Sequence, residues 1–543
     1  MKALGITMNN NDLVAKLWKM CDNLRDGGVS YQNYVNELAS LLFLKMTEET
    51  GQEDDLLPQG MRWADLKGKI GLDQLQFYRN MLVQLGADEH AIVRAIFQNV
   101  NTTITNASQL TELVTTMDEL EWFDSGEAKS RDDFGDMYEG LLQKNANETK
   151  SGAGQYFTPR PLISTMVKLL KPQPREVIQD PAAGTAGFLI EADKYIKSQT
   201  NDLDDLDDSG QEFQMKRAFV GLELVPETRR LALMNCLLHD IDGNEDVGGA
   251  IRLGNSLGND GENLPKANVM LTNPPFGSAS STNITRTFVH PTSNKQLCFM
   301  QHIYNGLEPG GRAAVVIPDN VLFEAGVGTS IRTDLMNKCN LHTILRLPTG
   351  IFYAAGVKTN VLFFQKGTPE NPNQDKDCTT DTWVYDLRTN MQTFGKRSPF
   401  TEKYLESFVN AYGDDANGQS KREEGIYNIL GCTTEVDESA GSESISEKAH
   451  IESARFRKFS RQYIKDKGDS LDITWLIDNS ITDAANLPEP DVLATEAMTE
   501  LTTALREMNQ LMIDLGAIDE AAGQVALLAE EFGLEKKNVE GAE

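Results

Sequence analysis

The chain has 543 residues, and its 81 acidic residues outnumber its 51 basic ones, which gives a formal net charge of -30. A chain of this length can bury a large core across more than one domain, so small disulfide-stapled scaffolds are excluded. A charge this negative repels polyanions, so any nucleic acid must be held by a local basic patch or by a partner protein.

The cysteines and histidines show no ligand pattern. The six cysteines contain no CxxC pair and the six histidines lack metal-ligand spacing, so no metal site is predicted. Scattered cysteines without a disulfide framework are typical of a reducing, cytoplasmic compartment. No apolar run approaches the roughly 20 residues that a membrane helix needs, and we expect a soluble protein.

Residues 1–148 are predicted to form an all-α domain. Apolar residues recur there at helical spacing, for example at Leu13, Leu17 and Cys21. A Gly/Ser/Lys-rich joint, NETKSGAGQ at 147–155, then marks a domain boundary.

Residues 149–475 are predicted to form a doubly wound α/β domain. Seven short apolar runs alternate with helical segments, as a parallel sheet covered on both faces requires. The runs are EVIQD (176–180), AFVGLEL (218–224), AIRLGNS (250–256), ANVMLTN (267–273), RAAVVIP (312–318), HTILRLP (342–348) and NVLFFQK (360–366). The polar stretch from 368 to 470 is expected to be an irregular extension of this domain.

Residues 476–543 are predicted to form a helical tail. Its apolar residues alternate in steps of three and four, which gives a seam for packing against another helix. The seam residues are Met498, Leu501, Leu505, Met508, Met512 and Leu515. Packing on the same chain and docking on a partner are equally compatible with this pattern.

The segment DPAAGTAGF (180–188) follows the first predicted strand and opens a helix. Asp180 at the strand end and the small residues after it let backbone N–H groups approach a ligand closely. Such turns occur in many α/β proteins, so a purely structural role stays an alternative. The chain has no GxxxxGK[ST] motif, and Ala186 stands where a dinucleotide fingerprint needs a glycine.

The next two predicted strands end in a carboxylate and an amide. Glu223 ends the second strand, where a carboxylate can accept two hydrogen bonds from a ribose diol. Asn255 follows the third strand, where a short amide can face an adenine edge. A solvated strand end for Glu223 and a loop role for Asn255 are the structural alternatives.

The segment LTNPPFG (271–277) closes the fourth predicted strand. Pro274 and Pro275 remove two backbone donors and fix two φ angles, so the segment is a stiff loop. The side-chain carbonyl of Asn273 and a neighbouring backbone carbonyl can accept both hydrogens of an exocyclic amine. Phe276 offers a face on which a planar ring can stack. The segment therefore predicts that a planar amine is held here.

Six segments follow one another along the chain: GQYFTPRPL (154–162), DPAAGTAGFL (180–189), GLEL (221–224), LTNPPFG (271–277), GGRAAVVIPDNVLF (310–323), and ILRLPTGIF with GVKTNVLFF (344–364). In their order and spacing they resemble the DNA adenine-N6 methyltransferases, and more closely the modification subunit of type I restriction-modification systems. The resemblance covers nearly the whole chain. It implies transfer of a methyl group from S-adenosyl-L-methionine to N6 of an adenine flipped out of double-stranded DNA.

The resemblance also implies a role for each motif residue. The catalytic group would be Asn273, Pro274, Pro275 and Phe276. The cofactor site would comprise Gln155, Tyr156, Phe157, Thr158, Pro159 and Arg160 at the methionine end, Asp180, Gly184, Thr185, Ala186 and Gly187 in the turn beneath the cofactor, Glu223 at the ribose, and Asn255. Thr158 and Pro159 are further expected to cap the helix that follows.

Partners are implied by the same resemblance. Such systems place base-specific readout on a specificity subunit that binds two modification subunits, so double-stranded DNA is held mainly through that subunit. Restriction subunits are further partners of such systems. The seam of the tail is the candidate docking surface. A basic and aromatic stretch, RFRKFSRQYIKDK at 455–467, is compatible with a solvated helix face, a contact with the specificity subunit or a contact with the DNA backbone.

Two alternatives remain. A protein glutamine N5-methyltransferase also uses an asparagine-proline-proline-aromatic motif to hold an amide, although those enzymes look shorter and lack GQYFTPRPL. An inactive methyltransferase-fold binding subunit would keep the fold, but the intact Asn273, Phe276 and Glu223 argue against it.

Overall fold

The structure is a computed structural model of the full chain. It describes residues 16–20, 31–120, 122, 137–142, 158–276, 284–352, 357–395, 398–425, 430 and 454–478. Residues 1–477 form one compact unit and residues 478–543 a second. In the described residues no helix is both long and apolar enough to cross a membrane.

The N-terminal part is helical, as predicted. Its helices are α1 (Tyr31–Glu49), α2 (Glu53–Leu56), α3 (Trp63–Lys67), α4 (Gly71–Leu85), α5 (Ala91–Phe97) and α6 (Ala107–Asp118). Asp118 at the end of α6 accepts a hydrogen bond from Nε1 of Trp63 at 2.9 Å. The same carboxylate lies 3.1 Å from Nζ of Lys45, so α1, α3 and α6 are joined through one acidic side chain.

Strands and helices alternate over most of the rest of the described chain. In order, the elements are α7 (Arg160–Leu170), β1 (Ile178–Asp180), α8 (Gly187–Gln199), α9 (Asp208–Lys216), β2 (Phe219–Glu223), α10 (Pro226–Leu238), β3 (Ile251–Leu253), α11 (Asn259–Glu262), β4 (Ala267–Thr272), α12 (Lys295–Gly306), β5 (Leu307–Pro318), α13 (Asp319–Phe323), α14 (Val327–Lys338), β6 (Cys339–Arg346), β7 (Thr359–Lys366), β8 (Asp381–Asp386), α15 (Glu406–Tyr412), β9 (Phe456–Ser460) and α16 (Arg461–Asp466). All seven predicted strands are confirmed.

The strands form one sheet in the order β3-β2-β1-β4-β5-β7-β6-β8-β9. β7 runs antiparallel to β5 and β6, and β9 runs antiparallel to β8. β1 pairs in parallel with β2 on one side and with β4 on the other. The strand order therefore reverses beside β1, and such a switch point is where open α/β sheets bind ligands at their carboxyl edge. The doubly wound fold is confirmed.

The prediction of irregular structure from 368 to 470 is wrong in two places, because β8 and β9 extend the sheet there. Trp383 of β8 stacks on Phe456 of β9 with ring centroids 4.6 Å apart. The basic stretch 455–467 is accordingly half strand and half helix rather than one helix face. The guanidinium of Arg457 lies 5.4 Å from the ring centroid of Phe459, so part of its charge covers aromatic surface.

Candidate functional site

A cavity of about 410 Å³ lies at the carboxyl edge of the sheet, around the switch point. Its wall includes Asp180, Glu223, Asn255 and Asn273. These residues end or follow β1, β2, β3 and β4, respectively. The parallel strands thus bring together four polar side chains that are far apart in the sequence, at the edge where the sequence predicted a ligand.

The turn between β1 and α8 is held by its neighbours. The amide of Ala183 donates to the carbonyl oxygen of Leu222 in β2 at 3.1 Å. Nδ2 of Asn235 on α10 donates to the carbonyl oxygen of Thr185 at 2.9 Å. The backbone that faces the cavity is therefore fixed by hydrogen bonds to two other elements.

Two residues of this turn have a left-handed backbone. Gly184 has a φ of +54° and Ala186 a φ of +69°. This conformation costs a residue with a Cβ about 1–2 kcal/mol, which explains why a glycine is usual at such positions. Ala186 is fully buried and is the N-cap of α8, and it does not line the cavity. Gly184, Thr185 and Gly187 do line it.

The carboxylate of Glu223 is oriented by backbone amides. Its Oε2 accepts from the amide of Gly184 and its Oε1 from the amide of Val225, both at 2.9 Å. Burial raises the pKa of Glu223, and these hydrogen bonds oppose the rise. A carboxylate has about four acceptor positions, so Glu223 can accept further hydrogen bonds from a ligand in the cavity.

Asp180 is the more deeply buried of the two carboxylates. Burial raises its pKa to about 7, and the neighbouring charge of Glu223 acts in the same direction. The nearby side chain of Thr272 and the amide of Ala182, which donates to Oδ1 of Asp180 at 3.0 Å, lower the pKa. Near neutral pH, Asp180 is therefore poised between its protonated and ionised forms.

Asn273 is held by Thr158. Nδ2 of Asn273 donates to Oγ1 of Thr158 at 2.9 Å, and both side chains line the cavity. The expected N-cap role of Thr158 is wrong, since α7 begins at Arg160 and its N-cap is Pro159, without a side-chain hydrogen bond. The Thr158 hydroxyl instead orients the amide at the end of β4.

Phe276 lies in an aromatic pair. Its side chain is 9% exposed, and its ring centroid lies 5.9 Å from that of Phe352 at an interplanar angle of 76°. Phe352 closes the segment ILRLPTGIF. The cavity wall includes Asn273 and Pro275 but neither Pro274 nor Phe276.

At the methionine end assigned by the resemblance, Thr158 and Arg160 line the cavity. Arg160 forms an ion pair with Glu139. The other oxygen of Glu139 lies 3.6 Å from Nζ of Lys194 on α8. Gln155, Tyr156 and Phe157 lie outside the described residues.

Several further wall residues were not predicted, among them two after β2 and two on α12. Leu224 and Val225 follow Glu223 directly and are partly exposed, while Lys295 and Phe299 lie one turn apart on α12. Their i, i+4 spacing is the only sequence signal that Lys295 and Phe299 share a face. Which face of α12 meets the cavity is decided by packing.

Comparisons with known proteins decide the family. Residues 129–457 match the family model of N-6 DNA methylases, and residues 487–530 match the C-terminal domain of type I restriction enzyme methylase subunits. The methylase subunit of the type I restriction enzyme StySPI from Salmonella potsdam is 72% identical, over 97% of this chain and 99% of its own. The chain belongs to the N-6 DNA methylases of type I restriction enzymes.

Other relatives of this methylase agree. The EcoKI methylase subunit of Escherichia coli strain K12 is 70% identical over 97% of this chain and 99% of its own. The crystal structure of the EcoKI M protein (EC 2.1.1.72) aligns with a TM-score of 0.56 and 63% identity, over 96% of this chain and 99% of that one. A chain from a solved type I restriction-modification system aligns with a TM-score of 0.64 at 24% identity, over 94% and 99% of the two chains, which supports the fold.

These relatives give the enzyme class. The methylase is an adenine-specific DNA methyltransferase. The relatives support this activity over the two alternatives left by the sequence, a protein glutamine methyltransferase and an inactive binding subunit.

Proposed function

We propose that this methylase transfers a methyl group from S-adenosyl-L-methionine to N6 of an adenine flipped out of double-stranded DNA, with Asn273 at the reacting amine. The observation that carries the proposal is that Asn273 lines the same cavity as Asp180 and Glu223. The volume of about 410 Å³ is in the usual range for a small-molecule site, which runs from about 300 to 1,000 Å³.

The residues of the cavity fit S-adenosyl-L-methionine. Glu223 can accept hydrogen bonds from ribose hydroxyls, and Leu224 and Phe299 offer apolar surface to a planar base. Asp180 and Glu223 place two carboxylates in the wall, which favours a ligand with a positive charge. Bound there, the cofactor supplies an electrophilic methyl group on a positively charged sulfur.

Asn273 positions the target amine. Because its Nδ2 donates to Thr158, its acceptor is Oδ1, and this oxygen and a backbone carbonyl of the Asn273–Phe276 segment accept the two amino hydrogens. Held in this way, N6 would present its lone pair to the methyl group that the bound cofactor supplies, with the cofactor's thioether as leaving group and the proton lost from N6 passing to water. Orientation supplies most of the acceleration, so no covalent enzyme intermediate is needed.

Phe276 and its partner Phe352 would provide aromatic surface for the flipped base. Base stacking on an aromatic side chain contributes about 1–3 kcal/mol. The edge-to-face contact of Phe276 and Phe352 keeps the Phe276 ring in place. Flipping costs a few kcal/mol, and this stacking offsets part of that cost.

We further propose that a specificity subunit binds two copies of this methylase and supplies the DNA readout, with restriction subunits as additional partners. The net charge of -30 supports a division of labour in which the basic surface is contributed by another protein. Residues 487–530 match the C-terminal domain of methylase subunits, which supports docking through the tail.

Labelled S-adenosyl-L-methionine, with DNA and with or without the specificity subunit, tests the proposal. Asn273→Ala should abolish transfer to DNA while cofactor binding is retained. Asn373→Ala is a matched control, because Asn373 is an exposed amide on the loop after β7, and it should methylate normally. Wild-type methylation by Asn273→Ala, or label found on protein rather than DNA, would contradict the proposal.

A further inference from the structure

The charged side chains in the cavity wall are Asp180, Glu223, Arg160 and Lys295. Arg160 pairs with Glu139. Lys295 differs, because within the part of the chain that the structure describes its ammonium group makes neither an ion pair nor a hydrogen bond. A cation that lines a ligand cavity without a protein counter-ion is suited to an anion supplied by the ligand.

The position of Lys295 is fixed by its helix. Lys295 is the first residue of α12, and Oδ1 of the N-cap Asn294 accepts from the amide of Leu297 at 3.2 Å. Nδ2 of Asn294 donates to Oε2 of Glu324 at 2.6 Å, which ties this first turn to the segment after α13. Phe299, one turn further on, lines the same cavity, so this face of α12 is turned towards it.

A second cation, Arg286, belongs to a segment whose backbone is bonded to the cavity wall. Arg286 lies in the loop before α12, and its amide donates at 3.3 Å to the carbonyl oxygen of Leu257, another wall residue. Its guanidinium group lies 4.2 Å from the ring centroid of Phe288. Among the described residues no carboxylate lies within ion-pair distance of this group. Lys295 thus lines the cavity, and the backbone of Arg286 is bonded to a residue of the same wall.

We propose that Lys295 and Arg286 bind a backbone phosphate of the DNA strand that carries the target adenine. Flipping swings a nucleotide about its backbone into the active site, which brings its flanking phosphates to the mouth of the cavity. The carboxylates of Asp180 and Glu223 repel a phosphate there, as does the net charge of -30. Local cations are therefore required where the strand enters. This inference rests on the proposed function.

The carboxylate of the cofactor is the competing anion, and the experiment separates the two. The methylase in complex with its specificity subunit is compared as wild type, Lys295→Gln, Arg286→Gln and Arg286→Lys. Lys376→Gln is the matched control, because Lys376 is exposed on the loop between β7 and β8, at the opposite edge of the sheet. The measurements are DNA affinity against salt concentration, cofactor affinity without DNA, and thermal unfolding.

Each lost phosphate contact should reduce the slope of log K against log salt by about 0.9 and weaken DNA binding about tenfold at 0.1 M salt. We expect the reduced slope and the weaker DNA binding for both glutamine variants, and we expect their cofactor affinity to equal that of wild type. Arg286→Lys and Lys376→Gln should keep the wild-type slope. A duplex with neutral methylphosphonates flanking the target adenine should bind the wild-type complex more weakly than the normal duplex does. The Lys295→Gln complex should bind both duplexes with the same affinity.

Two results would overturn the inference. One is wild-type salt dependence in both folded glutamine variants. The other is loss of cofactor affinity with an unchanged DNA slope, which would assign the cations to the cofactor's carboxylate. A different result, the absence of methyl transfer by the wild-type complex, would contradict the proposed function itself.

Discussion

Asn273 at the end of β4 and Thr158 before α7 are joined by a hydrogen bond of 2.9 Å, from Nδ2 to Oγ1. The bond joins two cavity-lining segments that are far apart in the sequence. It determines the orientation of the amide, because an amide whose Nδ2 is engaged by Thr158 turns its Oδ1 to the other side. Thr158 is therefore a positioning residue for the proposed reaction.

We predict that Thr158→Val lowers kcat by about fivefold, since a hydrogen bond of this kind contributes roughly 1 kcal/mol and valine has nearly the same shape. Cofactor affinity should change little. Steady-state methylation and equilibrium binding of the cofactor measure the two effects. Thr158→Ser keeps the hydroxyl and should restore kcat. If the loss appears in cofactor affinity alone, Thr158 acts as a cofactor ligand and not through Asn273.

Asp180 should make the stability of the methylase depend on pH. Burial raises its pKa to about 7, whereas an unfolded aspartate titrates near 3.9. The folded state binds this proton more tightly, so the stabilisation is full below about pH 4 and is lost as pH rises towards 7. The Asp180→Asn variant has no carboxyl group to ionise at this position. From pH 5 to pH 8, its free energy of unfolding should therefore rise by on the order of 2 kcal/mol relative to that of wild type.

Thermal unfolding at pH 5 and pH 8 measures this difference. Asp469→Asn is the matched control: burial opposes ionisation of Asp469, but hydrogen bonds from Arg461 and Thr333 hold its pKa below the usual value. Stability from a lowered pKa is present above the unfolded pKa, so this control should show no relative change between pH 5 and 8. Parallel profiles for wild type and Asp180→Asn would refute the prediction.

Arg388 joins the segments that follow β5 and β6 to the start of β7. It donates from Nη1 to Oδ2 of Asp319 at 2.8 Å, from Nε to the carbonyl oxygen of Leu347 at 2.9 Å, and from Nη2 to that of Thr359 at 2.6 Å. Removing one partner of such a pair typically costs about 3–5 kcal/mol. Arg388→Met should therefore lower the melting temperature clearly, and it should reduce methylation because Leu347 begins the loop that carries Phe352.

Arg217→Met provides the comparison for this variant. Arg217 is exposed, and substitutions at such positions usually change stability by less than about 0.5 kcal/mol. Equal melting temperatures for Arg388→Met and Arg217→Met would show that the Arg388 contacts do not stabilise the fold.

The strand-end residues of the cavity could be predicted because their positions follow from topology. Asp180, Glu223, Asn255 and Asn273 each end or follow an apolar run, and parallel strands bring their carboxyl ends to one edge. The strained backbone of Ala186, at φ +69°, could be anticipated only in part, from its place in a glycine-rich turn.

The structural features that the sequence did not predict depend on tertiary contacts. Thr158 has the sequence context of a helix cap, and only the folded chain brings it to Asn273. β8 and β9 lie at one end of the sheet, and their pairing through Trp383 and Phe456 joins segments separated by many residues. Lys295 lies on a helix whose orientation towards the cavity is set by packing.

The helical seam of the tail lies outside the described residues, and its docking role stays a prediction. Residues 1–477 form a compact unit of their own, so deletion of 491–543 should leave cofactor binding intact and abolish co-purification with the specificity subunit. A charge in the seam should act like the deletion, since Leu501→Asp places a carboxylate in an apolar contact. Thr503→Asp, on the side of the predicted helix away from the seam, should co-purify normally. If Leu501→Asp also co-purifies, the two proteins dock through another surface.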